Sequence, residues 1–358
     1  MRREGVFLIL CLFVVICASS AARAADQAPE SSFFEESLHA TGEGMRYWYE
    51  EQGGFMEITK IPYAELGCKN CHVKSCDQCH ASVQEDGKKA FSLEMAGKSE
   101  TCYACHQREQ LSVDFAKKAG HTDVHIAAGM SCAECHKDDV HGNGTKYTSM
   151  REPGAVSARC ENCHEQEGSS GTVFNANTRS HGMHKGKLDC SACHVRRTMA
   201  CYNCHFSNFL KTKTKKGNFV PTDDWLMLVN LRGKVTSATA MALVHEGKSF
   251  VTYAPYFTHD VMKKGRACEE CHANDAMALL AEGKKIPVAK FVDDKIEFWN
   301  GVIPLGKETL QWEFADKQDS KWVPYENISK PDLVQWSLYA EPLTEKQMEM
   351  MQAEQKSK

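Results

Sequence analysis

The 358-residue chain predicts a mainly α-helical and irregular region through residue 205, followed by a β-containing lobe over 206–358. Three observations carry this reading. The pattern Cys-x-x-Cys-His occurs eight times, and seven copies fall between residues 68 and 205. At roughly one copy per twenty residues, so little chain cannot bury a core of its own. Groups bound at the motifs must then supply most of the apolar interior, with short helices, loops and few strands wrapped on them. After residue 205 the texture changes to apolar, β-favouring runs separated by Gly-containing turns.

The first element is a leader. MRREG is a basic start, VFLILCLFVVICA an apolar run of about 13 residues, and Ala22-Arg23-Ala24 a small-residue cleavage site, so residues 1–24 read as a secretory signal. The run is shorter than the ~20 residues that span a bilayer, and no later segment is long and apolar enough to do so. Ile16 before Cys17 is a poor match to the small residue that precedes a lipidated cysteine. Cleavage would remove three Arg and one Glu, taking the formal charge from −4 to −6. An acidic balance argues against nucleic acid as a partner. Next, SSFFEE carries a capping-box pattern, Ser32 to Glu35, for one short helix.

The motifs follow. CKNCHVKSCDQCH holds the first two, Cys68, Cys71 and His72, then Cys76, Cys79 and His80. The others are Cys102, Cys105 and His106; Cys132, Cys135 and His136; Cys160, Cys163 and His164; Cys190, Cys193 and His194; Cys201, Cys204 and His205; and Cys268, Cys271 and His272. They use sixteen of the eighteen cysteines, and the remaining two, Cys11 and Cys17, lie in the leader. Each unit is the attachment signature of a c-type haem. Two thiols form thioethers to the porphyrin, and the histidine is directed back under the ring as an axial iron ligand. One Cys-x-x-Cys alone would fit a zinc or iron–sulfur site equally well. Eight copies, each followed at once by histidine, argue against that and against a disulfide framework. Eight covalently attached c-type haems are expected, with the eight motif histidines as proximal ligands.

The chain has sixteen histidines, so eight remain: His39, His121, His125, His141, His181, His184, His245 and His259. The spare count equals the motif count, and each iron is expected to take one of them as a distal ligand. His39, near the mature start, is the member whose alternative is an ordinary surface histidine. His121 and His125 are four apart, and His181 and His184 three apart, so each pair would lie on one helical face and address two neighbouring haems. His125, His184 and His259 precede the next motif by short gaps, a loose repeat of distal ligand, linker and motif. With histidines sufficient, the fifteen methionines read as packing.

Beyond His205 the short KTKTKK run (Lys211–Lys216) reads as a solvated loop. DWLMLVNLRGKVTSATA and KSFVTYAPYF read as strands about a turn at Arg232-Gly233. Asn300-Gly301 in KIEFWNGVIPL is expected to be a hairpin turn. Thr344 to Gln347 is a capping box opening a final helix. This lobe carries or covers the eighth haem, and its surface is either a cap or a docking face for a partner.

The spacing of the first two motifs bears on function. From His72 to Cys76 is four residue steps, at most ~14 Å, about the width of one macrocycle. His194 to Cys201 is seven steps, ~25 Å extended or ~10 Å as helix. Electron tunnelling falls off exponentially with edge distance. Crowding on this scale suits conduction over tens of ångströms better than chemistry at one isolated haem.

Eight such units with bracketing histidines resemble the multihaem cytochromes c of anaerobically respiring bacteria, over residues ~68–272. The resemblance implies a multihaem cytochrome c fold organised by stacked haems, an electron carrier in the periplasm or at the cell surface, and redox partners such as a membrane quinol-oxidising complex or other cytochromes. Two octahaem enzyme families, hydroxylamine oxidoreductases and tetrathionate reductases, share the count. Such enzymes keep one haem open or lysine-ligated; here no motif ends in lysine, and the histidines suffice for all eight. A third alternative is a subunit of a conductive homo-oligomeric filament, in which a distal histidine, His39 being the natural one, comes from the next subunit.

Overall fold

A computed structural model describes residues 31–67, 73–165, 175, 177–203, 206–212, 218–318 and 321–353. The leader, the first motif (Cys68, Cys71 and His72), Cys204 and His205 of the seventh, and most of the KTKTKK run lie outside the described residues. The architecture is mixed α/β. No helix among the described residues is long and apolar enough to cross a membrane.

Through residue 203 the helices are short and the strands few. SSFFEE forms a 3-10 helix, Ser31–Glu36, and not an α-helix. β1 (Ala81–Val83) and β2 (Lys89–Phe91) make a small antiparallel hairpin directly after His80. β3 (Cys201–Tyr202) lies within the seventh motif and pairs in parallel with Met241–Ala242 of the large sheet.

That sheet is built on three long strands, β4 (Trp225–Leu231), β5 (Lys234–His245) and β6 (Lys248–Pro255), paired antiparallel in succession. Two-residue turns join them. Arg232 and Gly233 have φ of 52° and 87°, and Glu246 and Gly247 have 49° and 75°. Positive φ at both central positions is the turn whose twist matches paired strands. β7 (Ile286–Val292) and β8 (Lys295–Phe298) form a further hairpin about Asp293-Asp294, again with both φ positive.

Asn300-Gly301 is not a hairpin turn. β9 (Gly301–Pro304) leaves β8 and pairs in parallel with β4 instead. Gly301, at φ 113°, is where the chain passes from one sheet to the next, its N–H bonded to the Asp224 carbonyl. β10 (Leu310–Trp312) adds to β7, β11 (Ala315–Gln318) pairs with β12 (Lys321–Pro324), and β13 (Leu333–Trp336) and β14 (Ala340–Glu341) close the two sides of the large sheet. Asp332 latches β13 onto β6: its carboxylate accepts from the Ser249 N–H and hydroxyl at 2.7 and 2.8 Å.

The sheet is buried on both faces, so β4 is a continuous apolar run with alternating destinations. Trp225, Met227 and Val229 face a core with Tyr253, Trp312 and Phe314. Leu226 and Leu228 face Ala192 and Val195 around the sixth motif, together with Met277, Leu343 and Met351. At roughly 1.5–3 kcal/mol per buried large side chain, this region has the self-sufficient interior that the motif-bearing segment lacks. The N-terminal helices join it: Tyr49, Phe55, Tyr63 and Leu66 pack on Leu243 and Phe250. The last helix, Glu345–Gln352, opens on the Thr344/Gln347 capping box and sends Met351 into the same packing.

Candidate haem-binding sites

A Cys-x-x-Cys-His unit wound as one helical turn puts both cysteines and the histidine on one side, because i, i+3 and i+4 share a face. Five described motifs lie in or at the end of short helices of this kind: Asp77–His80, Ser99–Tyr103, Cys160–His164, Cys190–His194 and Cys268–Cys271. A sixth opens the longer helix Cys132–Val140. The His80 and His106 N–H groups close the turn on the carbonyls of Cys76 and Cys102, both at 2.9 Å. Cys201 is different, being buried in β3 with its Sγ accepting from Arg108 at 3.3 Å.

Each described motif histidine has one spare histidine opposite it. Ring centroids are 6.0 Å apart for His80 and His141, for His106 and His39, and for His164 and His125. They are 6.4 Å apart for His136 and His259, 6.2 Å for His194 and His181, and 6.1 Å for His272 and His184. Two imidazoles on opposite sides of one metal ion need two metal–nitrogen bonds of about 2 Å and roughly 1 Å from each nitrogen to its ring centre. That sums to about 6 Å. The six spacings fit an iron held between two histidines. No three His, Cys, Asp or Glu side chains converge as a metal cluster among the described residues; these histidines converge in twos.

Several of these histidines also engage their second ring nitrogen. Nδ1 of His181, His184 and His194 meets the main-chain carbonyls of Asn175, Ser180 and Met262 at 2.8, 2.9 and 3.0 Å. Nδ1 of His259 meets Glu109 Oε2 at 2.7 Å, and Nδ1 of His136 meets Asp139 Oδ2 at 3.0 Å. These contacts fix the tautomer and aim Nε2 at the partner ring. Asp123 does similar work for His125 at 3.3 Å and raises that imidazole's pKa. Burial lowers His39, and the neighbouring His106 and His141 lower it further.

Cysteines of successive motifs lie side by side. The Cys79 thiol is pushed up first by burial and then by Cys105 beside it. Cys102 and Cys132 are in side-chain contact, as are Cys160 and Cys190. Cys135 is raised by burial and by Cys163, and Cys271 is pushed up to about 12 by burial and by Cys193. The described motifs therefore run in the spatial order second, third, fourth, fifth, sixth, eighth.

Three sequence expectations need correction or completion. His121 and His125 do not share a helix: Gln107–Lys118 ends before His121, and His125 sits in the separate turn Val124–Ala127. His125, His184 and His259 do not face the motif that follows each of them; their partners are in the fifth, eighth and fourth motifs. His121 and His245 stand opposite no described motif histidine. His121 Nδ1 lies 3.3 Å from Asp260 Oδ1, whose carboxyl is pushed up by burial, and its Nε2 lies 3.9 Å from Asp223. His245 is buried against Phe55 and Phe206. Glu109 and Asp139 were not singled out from the sequence: Glu109 lies far from His259 in the chain and carries no signal there, whereas Asp139, three residues after His136, was within reach of a local i, i+3 reading.

Comparison with curated proteins and with solved structures gives no match. Residues 124–206, about a quarter of the chain, match the family described as cytochrome c3. The matched segment holds the fourth to seventh motifs together with His125, His141, His181 and His184. The similarity supports a multihaem c-type cytochrome, with covalently bound haem and electron transfer.

Proposed function

We propose that this chain is an exported octahaem cytochrome c that relays electrons in anaerobic respiration through closely packed, bis-histidine haems. The observation that carries the reading is the set of six histidine pairs at 6.0–6.4 Å. His72, His80, His106, His136, His164, His194, His205 and His272 are the proximal ligands. His39, His125, His141, His181, His184 and His259 are distal ligands for the described motifs. His121 and His245 complete the irons of the first and seventh. Haem iron held between such pairs supplies reversible one-electron exchange between ferric and ferrous states.

The chain's own part is to close every axial position, so that a small substrate has no free coordination site to enter. It also sets the motif cysteines of neighbouring units side by side, which keeps the distance between successive units short. Residues 1–24 act as the export signal, and the working location is the periplasm or cell surface. Partners are other redox proteins, a membrane quinol-oxidising complex or further cytochromes. His39, the residue a filament would exchange, faces His106 of its own chain, which favours the carrier over the filament.

The oxidised protein should show low-spin signals alone in its electron paramagnetic resonance spectrum, and the reduced protein should bind little carbon monoxide. A stoichiometric high-spin haem that binds a nitrogen or sulfur oxyanion would overturn the carrier reading.

A further inference from the structure

The fourth motif has a surrounding that the sixth lacks. At the sixth, His181 and His194 turn Nδ1 to main-chain carbonyls. At the fourth, both rings turn Nδ1 to a carboxylate: His136 to Asp139 at 3.0 Å and His259 to Glu109 at 2.7 Å. Glu109 stands on helix Gln107–Lys118 and is itself held, accepting the Tyr256 hydroxyl at 2.6 Å on its other oxygen. The Arg108 guanidinium lies over the Tyr256 ring, 5.1 Å from its centroid. Asp139 is held from the far side by the Ser157 N–H. Neither carboxylate belongs to a Cys-x-x-Cys-His unit, and each is anchored on a second partner.

We propose that Glu109 and Asp139 are positioning residues that hold the iron between His136 and His259 at a lower reduction potential than the iron between His181 and His194. The inference rests on the bis-histidine reading above. An imidazole whose N–H donates to a carboxylate gains imidazolate character and becomes a stronger electron donor through its other nitrogen. Two such ligands, with two negative charges nearby in a partly buried site, favour the ferric state over the ferrous state that forms when one electron is added. A carbonyl partner orients the ring without the charge. The fourth unit lies inside the spatial series, between the third and the fifth, so the effect places an energetic step within the relay and not at its end.

The test is a spectropotentiometric titration of the complete holoprotein. The fourth-motif component is first identified with His259→Ala, which should turn that iron high-spin, and the sixth with His181→Ala. In the unmodified protein the fourth component should reduce at the lower potential of the two. Glu109→Gln keeps a hydrogen-bond acceptor and removes the charge, and should raise the fourth component's midpoint while leaving the sixth in place. Tyr256→Phe removes a donor that competes for Glu109, and should move the same midpoint the opposite way. A merely structural role would shift both variants in one direction. If Glu109→Gln leaves every midpoint unchanged while His259→Ala still produces one high-spin haem, the tuning is wrong and the ligand pairing stands. If His259→Ala leaves all irons low-spin, the pairing itself fails.

Discussion

His181 and His184 stand three residues apart on helix Arg179–His184 and face different partners, His194 and His272. The three-residue step turns the two rings to the same side while separating them along the axis, so on the proposed pairing one short helix serves two irons. Substituting His181→Ala and His184→Ala singly should each convert one haem to high spin, and a different one in each case. Visible and paramagnetic resonance spectra of the two variants check this. At this scale the candidate ligands could be named from the chain, since Cys-x-x-Cys-His states its own chemistry and the spare histidines equal the motifs in number. Their pairing could not. His136 and His259 lie far apart in sequence, and nothing local to either points to the other. The expectation of a shared helix for His121 and His125 failed because helix Gln107–Lys118 ends ahead of Gly120, at φ 87°, leaving His121 outside it, and a new turn capped by Asp123 starts only at Val124.

Elements were legible where local chemistry is decisive. Arg232-Gly233 makes the expected turn between β4 and β5, and the Thr344/Gln347 box opens the expected helix. Asn300-Gly301 has the hairpin sequence without the hairpin, because β8 is already paired with β7 and β4 offers β9 a free edge. A dipeptide reports the bend it allows, and tertiary pairing decides where the strand goes. Asp332, latching β13 onto β6, gives a test at this scale. Its carboxyl is held below the usual range by the Ser249 N–H and hydroxyl. A depressed folded-state value means that the latch is fully present above the unfolded value of about 4 and fades as pH falls through the folded one. Asp332→Ala should therefore destabilise at neutral pH, by at most on the order of 1 kcal/mol for so exposed a group. The difference in melting temperature should shrink and close on acidification below about pH 4.

For the molecule as a whole, the cofactor count is the quantity to measure. All eight motifs have the same two-residue spacer, so the denatured mass of the purified protein should exceed that of its polypeptide by eight haems. Seven or fewer in fully matured material would mean that one motif is silent. The whole-molecule arrangement was the least legible level. The sequence separates a motif-rich stretch from a strand-rich one, whereas the chain threads them together. β3, inside the seventh motif, is a strand of the large sheet, and the N-terminal helices pack on Leu243 and Phe250.

The long reach between His136 and His259 also bears on assembly in time. A polypeptide is made from its amino terminus. On the proposed pairing, His39, His125, His181 and His184 have already emerged when their motif histidines arrive, so those four sites can close at once. The second motif waits only for His141. The fourth must wait until β4, β5 and β6 have been made and His259 has followed them. Throughout that interval its iron would have one face open to stray ligands and oxidants. Among the described pairs, the site that waits longest after its motif is made is the one whose late ligand is met by Glu109, a residue made before the motif itself.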